Sequence, residues 1–319
     1  MKSLAESIES DIQFERTGSI NGSEDPMPKL LSQGLVQCVG NGLFVLHSPL
    51  TEIMDALDHS VAKLAKSVRA ESLHVPVLLS PVTMEDSQYL HSFGNQALVA
   101  RGQMGNPGNG YGEGQVLGLV SPTVCYHVFA AKKGSHLSHS ALYTALGRCS
   151  RVEAGPLSDL SRLTNFTMRE IIGFGSEPWC QSQLLKISEK LFDWLNDSLD
   201  LSYQYSTASD PFFGQNDGIK KKAQLLAQSK FEVQARLAHR KDPMSVISMN
   251  QHGSVFYDRF EIKAENNVGY SFCIGVGYER LLYAILSQKG LDFKSSYYRK
   301  LLSTSAPLRS GPRIVASQG

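Results

Sequence analysis

The chain has 319 residues, 42% of them hydrophobic, and its 31 basic residues nearly balance its 30 acidic ones. A chain of this length buries a large core, as one large domain or two small ones. The near-neutral charge argues against a broad basic surface for duplex DNA or tRNA. No apolar run approaches the length of a membrane-spanning helix. Five cysteines without a regular disulfide framework, and no signal peptide, predict a location in the reducing cytoplasm.

The first part of the chain predicts a tail, a hairpin, a helix and a strand. Residues 1–28 are polar and predict a flexible N-terminal tail. Residues 35–46 predict a hairpin about a Gly-Asn-Gly turn. Apolar residues recur at helical spacing over 49–69, and a strand over 73–79 follows. The glycine-rich residues 101–118 lack the Gly-Lys-Ser/Thr ending of a phosphate-binding P-loop, so we predict a mobile loop near the functional site.

The second half predicts a helix, two strands and a second tail. Residues 181–200 have the pattern of an amphipathic helix packed on the core. Strands over 254–263 and 268–274 are predicted to flank an Asn266-Asn267 turn. Residues 303–319 are polar and predict a flexible C-terminal tail.

Two cysteines and one glutamate suggest a metal site. Cys125, Glu170 and Cys273 lie in three distant segments, of which the last continues into Gly275-Val276-Gly277-Tyr278-Glu279-Arg280. Two thiolates and a carboxylate suit zinc, and a three-ligand site leaves one coordination position open for chemistry. The alternative is that the cysteines are small buried hydrophobes that never meet.

Three arginines suggest that the chain binds a nucleoside triphosphate. Arg151, Arg162 and Arg280 lie on separate segments, and planar guanidinium groups bind phosphate oxygens in a bidentate way. Together they could hold a reacting phosphate in line, which is catalysis by positioning and charge. Phe166 could stack on a purine with Arg280 over its opposite face. The alternative for each arginine is a solvated surface charge.

A nicotinamide dinucleotide site is excluded. Gly275-Val276-Gly277 is a partial dinucleotide fingerprint, but Arg280 stands where the third glycine belongs. No strand ending in an acidic residue follows about 20 residues later.

These motifs resemble the class II aminoacyl-tRNA synthetases. Residues 151–170 look like their motif 2, residues 275–280 like motif 3, and the helix and strand over 49–79 like motif 1, the dimer element. The cysteine–glutamate–cysteine set is similar to the zinc site of the methanogenic-type seryl-tRNA synthetases and of their truncated relatives, the amino acid:[carrier protein] ligases. Residues 208–214 and 230–232 also look like segments of those ligases.

The resemblance implies an α+β fold with a mostly antiparallel sheet flanked by helices, forming a catalytic domain over 29–302 and a homodimer. It implies one zinc ion per chain, held by Cys125, Glu170 and Cys273, and ATP with magnesium. The residues expected to bind ATP are Arg151, Glu153, Arg162, Leu163, Phe166 and Arg280, with Arg151 on the α-phosphate and Arg162 and Arg280 on the terminal phosphate and adenine. The residues expected to bind the substrate are Glu170, Asn250 and His252; Glu232 and Glu261 are candidate magnesium ligands.

Four functions are compatible with the resemblance. A seryl-tRNA synthetase would carry a tRNA-binding arm of about a hundred residues before motif 1, for which there is no room. A zinc-stabilised interaction protein would favour a closed set of cysteine and histidine ligands. A non-catalytic amino-acid sensor would not need the full arginine set.

The remaining function is that of an amino acid:[carrier protein] ligase. Such an enzyme would activate a small amino acid as the adenylate, with zinc binding its amino group, and pass it to the phosphopantetheine thiol of a holo carrier protein. Carrier proteins are usually acidic, so Lys220-Lys221-Lys222 is the candidate docking patch, with Arg240-Lys241 as a second. Neither tRNA nor a membrane is an expected partner.

Overall fold

The computed structural model describes residues 11–102, 114–212, 217–265 and 269–304. Its helices are α1 Met27–Ser32, α2 Leu50–Ser67, α3 Pro81–Ser87, α4 Tyr89–Phe93, α5 Cys125–Ala131, α6 Glu177–Asp193, α7 Asp217–Leu226, α8 Val255–Arg259, α9 Tyr278–Lys289 and α10 Ser296–Ser303. A 3-10 turn occupies Gly94–Gln96, and α6 runs into a π-helical turn, Trp194–Ser198. None of the described helices is long and apolar enough to cross a bilayer.

The described strands form one large sheet and three small ones. They are β1 Ile12–Arg16, β2 Val36–Gly40, β3 Leu43–Leu46, β4 Glu71–His74, β5 Leu78–Leu79, β6 Val99–Arg101, β7 Val116–Val120, β8 His136–Leu137, β9 Ala141–Ser150, β10 Asn165–Gly175, β11 Tyr203–Thr207, β12 Lys230–Ala235, β13 Met244–Gly253, β14 Lys263–Ala264 and β15 Tyr270–Gly277. The large sheet has the order β1-β11-β12-β13-β15-β10-β9-β4. Every neighbouring pair in it is antiparallel except β4 with β9. The predicted α+β fold with a mostly antiparallel sheet is confirmed.

The two faces of this sheet carry different cores. Along β15, Phe272 and Ile274 join the larger hydrophobic cluster, which includes α2, α6 and α9. Cys273 points the other way, into a second cluster with Phe129 of α5 and Phe256 of α8. Successive side chains of a strand alternate between faces, and both faces of this strand are covered, so all its residues except the two at its ends are buried. The second face is the one that carries the functional site.

Most predicted elements are present. The hairpin over 35–46 is β2 and β3, the helix over 49–69 is α2, and the amphipathic helix over 181–200 is α6 with its π-helical turn. The strand predicted over 268–274 is β15, and α9 follows it directly. The predicted Asn266-Asn267 turn and most of the glycine-rich loop lie outside the described residues.

The strand predicted over 254–263 is wrong. The strand β13 already ends at Gly253, whose φ of 60° suits a glycine, and α8 follows at once. Phe256 and Phe260 are four residues apart and both buried, which is the spacing of one helix face. This short apolar run therefore has the periodicity of a helix and not the alternation of a strand.

The ordered structure also begins before residue 29. The strand β1 pairs with β11 at the edge of the large sheet, and the N–H of Asn21 donates to the carbonyl of Gln288 at 2.7 Å. Residues 12–22 thus differ from the predicted tail, because their backbone groups bond to the domain instead of to water.

Candidate functional site

A cavity of ≈ 750 Å³ opens on the second face of the large sheet. Its floor is formed by β10, β12, β13 and β15, and its walls include α4, α7 and α8. Most of the residues predicted from the sequence line it: Cys125, Arg151, Glu153, Leu163, Phe166, Glu170, Glu232, Asn250, His252, Cys273 and Arg280. Arg162 and Glu261 are not in the lining.

The register of the sheet sets the layout of the floor. Cys273 lies opposite Asn250, and Asn250 lies opposite Lys230. In the next row of the same face, Gly275 lies opposite Glu170 on β10. Neighbouring strands lie about 4.8 Å apart, so each row spaces its side chains at that interval. Cys273 and Glu170 therefore lie at one end of the floor, and the buried Lys230 lies at the other.

The three predicted metal ligands meet at one point. One ligand atom each from Cys125, Glu170 and Cys273 lies within 4.8 Å of the others, and all three residues are buried. Cys125 is the first residue of α5, while β10 and β15 supply the other two as adjacent strands. The side chain of Glu170 accepts a hydrogen bond from the Thr123 hydroxyl through Oε1 at 2.5 Å.

The chemistry of this cluster fits a cation. The second carboxylate oxygen of Glu170, Oε2, is buried without a hydrogen-bond partner among the described residues. A buried polar atom left unsatisfied costs free energy, and a metal ion would satisfy it. Two sulfurs and one such oxygen are the donors that zinc accepts in a site with an open position.

Burial and close contact change the pKa values of the groups in this cluster. Burial, and then the charge of Cys273, raise the pKa of Glu170 to about 8. The hydrogen bond between the two thiols lowers the pKa of Cys273 well below its usual range and raises that of Cys125 well above it. Without a cation the group therefore retains protons, which a bound metal must displace.

Two arginines, Arg151 and Arg280, line the cavity. The Nε of Arg151 donates to the carbonyl of Pro122 at 3.0 Å, and its guanidinium lies 5.2 Å from the ring centroid of Phe166. Arg280 donates from Nη1 to the carbonyl of Ser245 at 3.3 Å. Burial, and next the charge of Arg151, lower the pKa of Arg280. Two cations are thus held in one partly buried space, which favours an anionic ligand.

The third arginine has a different environment. The side chain of Arg162 is 57% exposed, and its Nε lies 3.6 Å from a carboxylate oxygen of Glu153. It lies on the loop between β9 and β10, next to Leu163, which does line the cavity.

Only one of the two candidate magnesium ligands lines the cavity. Glu232 lines the cavity, and its carboxylate lies 3.1 Å from the ammonium of Lys230. Glu261 lies beyond α8 in a left-handed turn with φ 55°, exposed and away from the lining. The structure therefore places Glu261, a predicted magnesium ligand, outside the cavity lining.

Several lining residues were missed in the sequence. Lys230 is almost fully buried between Asp210 and Glu232. Since alternate residues of a strand share a face, the pattern Lys-Phe-Glu of β12 could have indicated that Lys230 accompanies Glu232. Tyr89 and Arg259 also line the cavity, and their local sequence gave no such signal.

Comparisons with known proteins agree with the motifs. No protein-family model matches the chain. An amino acid–[acyl-carrier-protein] ligase of Bradyrhizobium diazoefficiens is 27% identical over 272 residues, which are 77% of this chain and 80% of that protein. A type-2 serine–tRNA ligase of Methanothermobacter thermautotrophicus is 26% identical over 167 residues, which are 52% of this chain and 32% of that protein.

Solved structures share the fold. M. kandleri seryl-tRNA synthetase, in a complex with A. aeolicus tRNASec, matches with a TM-score of 0.81 at 16% identity, over 99% of this chain and 68% of that one. Pyrococcus horikoshii seryl-tRNA synthetase, complexed with ATP, matches with a TM-score of 0.65 at 13% identity, over 86% and 60%. The chain thus has the catalytic fold of the class II seryl-tRNA synthetases, and its sequence is similar to the amino acid–[acyl-carrier-protein] ligases and the type-2 serine–tRNA ligases, as its motifs predicted.

Proposed function

We propose that this protein activates a small amino acid with ATP and transfers it to the phosphopantetheine thiol of a carrier protein. The observation that carries the proposal is the union of two groups in one cavity: the Cys125–Glu170–Cys273 cluster and the arginines Arg151 and Arg280. A metal ion held by the cluster would bind an amine, and the arginines would bind phosphates. The similarity to a carrier-protein ligase over most of both chains supports the same activity.

In this proposal the chain binds and aligns two substrates. Arg151 holds the α-phosphate of ATP while the carboxylate of the amino acid attacks it; pyrophosphate leaves and the aminoacyl adenylate forms. Phe166 and Arg280 hold the adenine, with Arg162 at the terminal phosphate. Zinc in the cluster would supply an open coordination position to the unprotonated amine. Glu232 is the proposed magnesium ligand, because it alone of the two candidates lines the cavity.

Asn250 and His252 are proposed to shape the amino-acid end. The Nδ2 of Asn250 lies 3.6 Å from the sulfur of Cys273. His252 bonds through Nδ1 with the hydroxyl of Ser271 at 3.2 Å, and its ring packs edge-on against Phe256. Both side chains therefore border the place where the amine would bind.

The proposed docking surface for the carrier protein is α7. Ile219 and Leu226 are 67% and 72% exposed and seven residues apart, so they share one face of the helix. Lys222 borders it, Lys221 lies farther round the helix and pairs with Asp217 at 3.3 Å, and Lys220 points inward, lines the cavity and lies 5.8 Å from the ring centroid of Phe212. An apolar stripe with cations beside it complements an amphipathic acidic surface.

In the second proposed docking patch, Arg240 already has partners within the protein. Its guanidinium pairs with Asp159 and lies 5.7 Å from the ring centroid of Tyr283. We therefore place the carrier at α7.

We also propose a homodimer formed through the small sheet of β5, β7 and β6. Val77, Val99 and Leu117 are 52%, 47% and 54% exposed there. Apolar side chains grouped on one surface are typical of an interface. Sedimentation of the wild-type chain should give twice the monomer mass, and a monomer would contradict this proposal.

Amino-acid-dependent exchange of pyrophosphate into ATP, across a panel of amino acids, tests the activity. We expect exchange with small amino acids, a thioester on a holo carrier protein, and no aminoacylated tRNA. Absence of exchange with every amino acid would favour the non-catalytic sensor, and efficient tRNA charging would favour the seryl-tRNA synthetase.

Charge reversal tests the docking surface separately. Lys221→Glu with Lys222→Glu should slow transfer to the carrier, more so at low salt, and leave pyrophosphate exchange intact. Lys186→Glu with Lys190→Glu is the matched control, since α6 packs on the other face of the large sheet. Equal transfer rates in the two double variants would move the docking surface elsewhere.

A further inference from the structure

Thr123 contacts two of the three residues of the proposed metal site. Its hydroxyl donates a hydrogen bond to Oε1 of Glu170 at 2.5 Å, and the hydroxyl oxygen lies 3.6 Å from the sulfur of Cys125. A threonine hydroxyl carries one hydrogen, and the shorter distance places that hydrogen on the bond to the carboxylate. Thr123 therefore acts mainly on Glu170.

This bond gives the two oxygens of Glu170 different surroundings. Oε1 accepts from the Thr123 hydroxyl, whereas Oε2 is buried without a hydrogen-bond partner among the described residues. A carboxylate can bind a metal ion through one oxygen or through both. Because Oε1 already has a partner in the protein, Oε2 is the oxygen that is left for a cation.

The backbone that carries Thr123 is held on both sides. The Ser121 hydroxyl donates to the carbonyl of Thr123 at 2.7 Å, and the N–H of Ser150 donates to the carbonyl of Ser121 at 2.9 Å. Between them, the carbonyl of Pro122 accepts from the Nε of Arg151 at 3.0 Å. Threonine is also branched at Cβ, which restricts its χ1 angle. The protein itself, and not a metal ion, therefore holds this hydroxyl in place.

His127 supports the same segment from the interior. It is buried, and its Nε2 lies 3.0 Å from the hydroxyl oxygen of Ser121. The single hydrogen of the Ser121 hydroxyl is given to the carbonyl of Thr123, so Nε2 must be the donor in the bond to Ser121. His127 and Ser121 together anchor the backbone of Thr123.

We propose that Thr123 is a positioning residue of the metal site, whose hydroxyl orients the carboxylate of Glu170 and leaves Oε2 to the cation. The inference rests on the zinc site of the proposed function. A group that hydrogen-bonds to a metal ligand fixes the orientation of that ligand, and its removal typically weakens metal binding by about tenfold to a hundredfold. Thr123 thus contributes to zinc affinity through Glu170.

The variant Thr123→Val keeps the branched shape of the side chain and removes its hydroxyl. We expect the Kd for zinc, measured by competition with a chromophoric chelator, to rise about tenfold to a hundredfold. Thr123→Ser retains the hydroxyl and should bind zinc as tightly as the wild type. Recovery in the serine variant would assign the effect to the hydroxyl and not to the methyl group.

Thr144→Val is the matched control. The Thr144 hydroxyl also donates to Glu170, but to its backbone carbonyl at 2.8 Å, and Thr144 is a buried residue of β9 outside the cavity lining. This variant should lower the melting temperature of the metal-free protein, because a buried hydrogen bond is lost. Its Kd for zinc should equal that of the wild type, since the carboxylate of Glu170 keeps its partner.

Three results would overturn the inference. The first is a wild-type Kd for zinc in Thr123→Val, and the second is the same loss of affinity in Thr123→Ser as in Thr123→Val. The third is an equal loss in Thr123→Val and Thr144→Val, because loosening of β10 would then explain both. Circular dichroism of the metal-free variants checks that each is folded. A wild-type chain that binds no zinc would overturn the metal site of the proposed function, and this inference with it.

Discussion

Glu170 is both buried and incompletely hydrogen-bonded, a combination that is rare for a carboxylate without a ligand. It is 2% exposed, and one of its carboxylate oxygens has no partner among the described residues. Its other oxygen, Oε1, accepts a hydrogen bond from the Thr123 hydroxyl at 2.5 Å. The residue is arranged for a cation more than for the stability of the fold.

The first prediction concerns that cation. We expect about one zinc per chain, and its loss in Cys125→Ser or Cys273→Ser together with the exchange activity, because the serine hydroxyl is a poor zinc ligand. Metal analysis of the purified proteins measures the zinc content per chain. Cys180→Ser is the control, since Cys180 is buried, outside the cluster, and donates to the carbonyl of Tyr270 at 3.3 Å. Full zinc content in both ligand variants, with native circular dichroism, would refute the site.

The second prediction concerns Arg151. Arg151→Ala should lower pyrophosphate exchange by roughly a hundredfold or more, because a charge donor to the transition state is lost. Zinc content should stay at the wild-type level, since the side chain donates to the carbonyl of Pro122 and lies over the ring of Phe166, and neither residue belongs to the cluster. Arg151→Lys keeps the charge without the bidentate geometry and should recover only part of the rate. Near-normal exchange in Arg151→Ala would remove this residue from the mechanism.

At the scale of elements, the hairpin β2–β3 holds the loop between β9 and β10. The N–H of Gly42 donates to Leu157, and its carbonyl accepts from Thr164 at 3.0 Å. Asn41 adds a bond from the N–H of Leu157 to its side chain at 3.1 Å. The loop between these anchors carries Arg162, so the hairpin positions part of the proposed ATP site.

The third prediction tests this support. Gly42 has φ 66°, and a Cβ there would lie 2.5 Å from a methyl of Leu157 and 2.8 Å from the backbone of Thr164. Gly42→Ala should therefore shift the loop and raise the KM for ATP severalfold. Gly34→Ala is the control, because φ is 68° but the added Cβ meets nothing within 4 Å.

Both glycine variants should lose about 1–2 kcal/mol of stability from the left-handed backbone. Only Gly42→Ala should also change ATP kinetics. Equal KM values for ATP in the two variants would show that the hairpin does not position the loop.

The sequence predicts long, strongly periodic elements well and short apolar ones poorly. The helix α2 was readable because six of its apolar side chains are fully buried along one face. A strand is predicted over residues 254–263, where the structure has a helix, because a five-residue helix offers too few positions to reveal its period. Ligand chemistry suggests the two cysteines and the glutamate as a metal site, and the family resemblance strengthens that prediction. Their meeting depends on sheet register, which pairs Glu170 with Gly275 and cannot be derived from local pattern.

At the scale of the whole molecule, the N-terminal segment is tied to the domain by a buried ammonium. Lys289, at the end of α9, donates to the carbonyl and hydroxyl of Ser19 at 2.7 and 2.8 Å and lies 3.0 Å from the carboxylate of Asp200. Burial would raise the pKa of Asp200, but hydrogen bonds from Ser19 and Lys289 outweigh it and lower the pKa to about 2.

The fourth prediction follows from that pKa. A carboxyl whose pKa is lower in the folded than in the unfolded chain stabilises the fold above its unfolded value of about 3.9. This stability is lost as the pH falls through the folded value. Asp200→Asn should therefore melt below the wild type at neutral pH, and the difference should narrow between about pH 4 and pH 2. Asp242→Asn, in an exposed loop, is the control. A difference that stays constant over this range would contradict the prediction.

The position of β15 in the sheet has a consequence for how the protein is made. It lies between β13 and β10, in the middle of the sheet, yet it is the last strand in chain order within the part that the structure describes. A nascent chain that has not yet released residues 270–277 from the ribosome lacks both the centre of its sheet and Cys273. The three proposed zinc ligands can therefore meet only after synthesis has passed this strand.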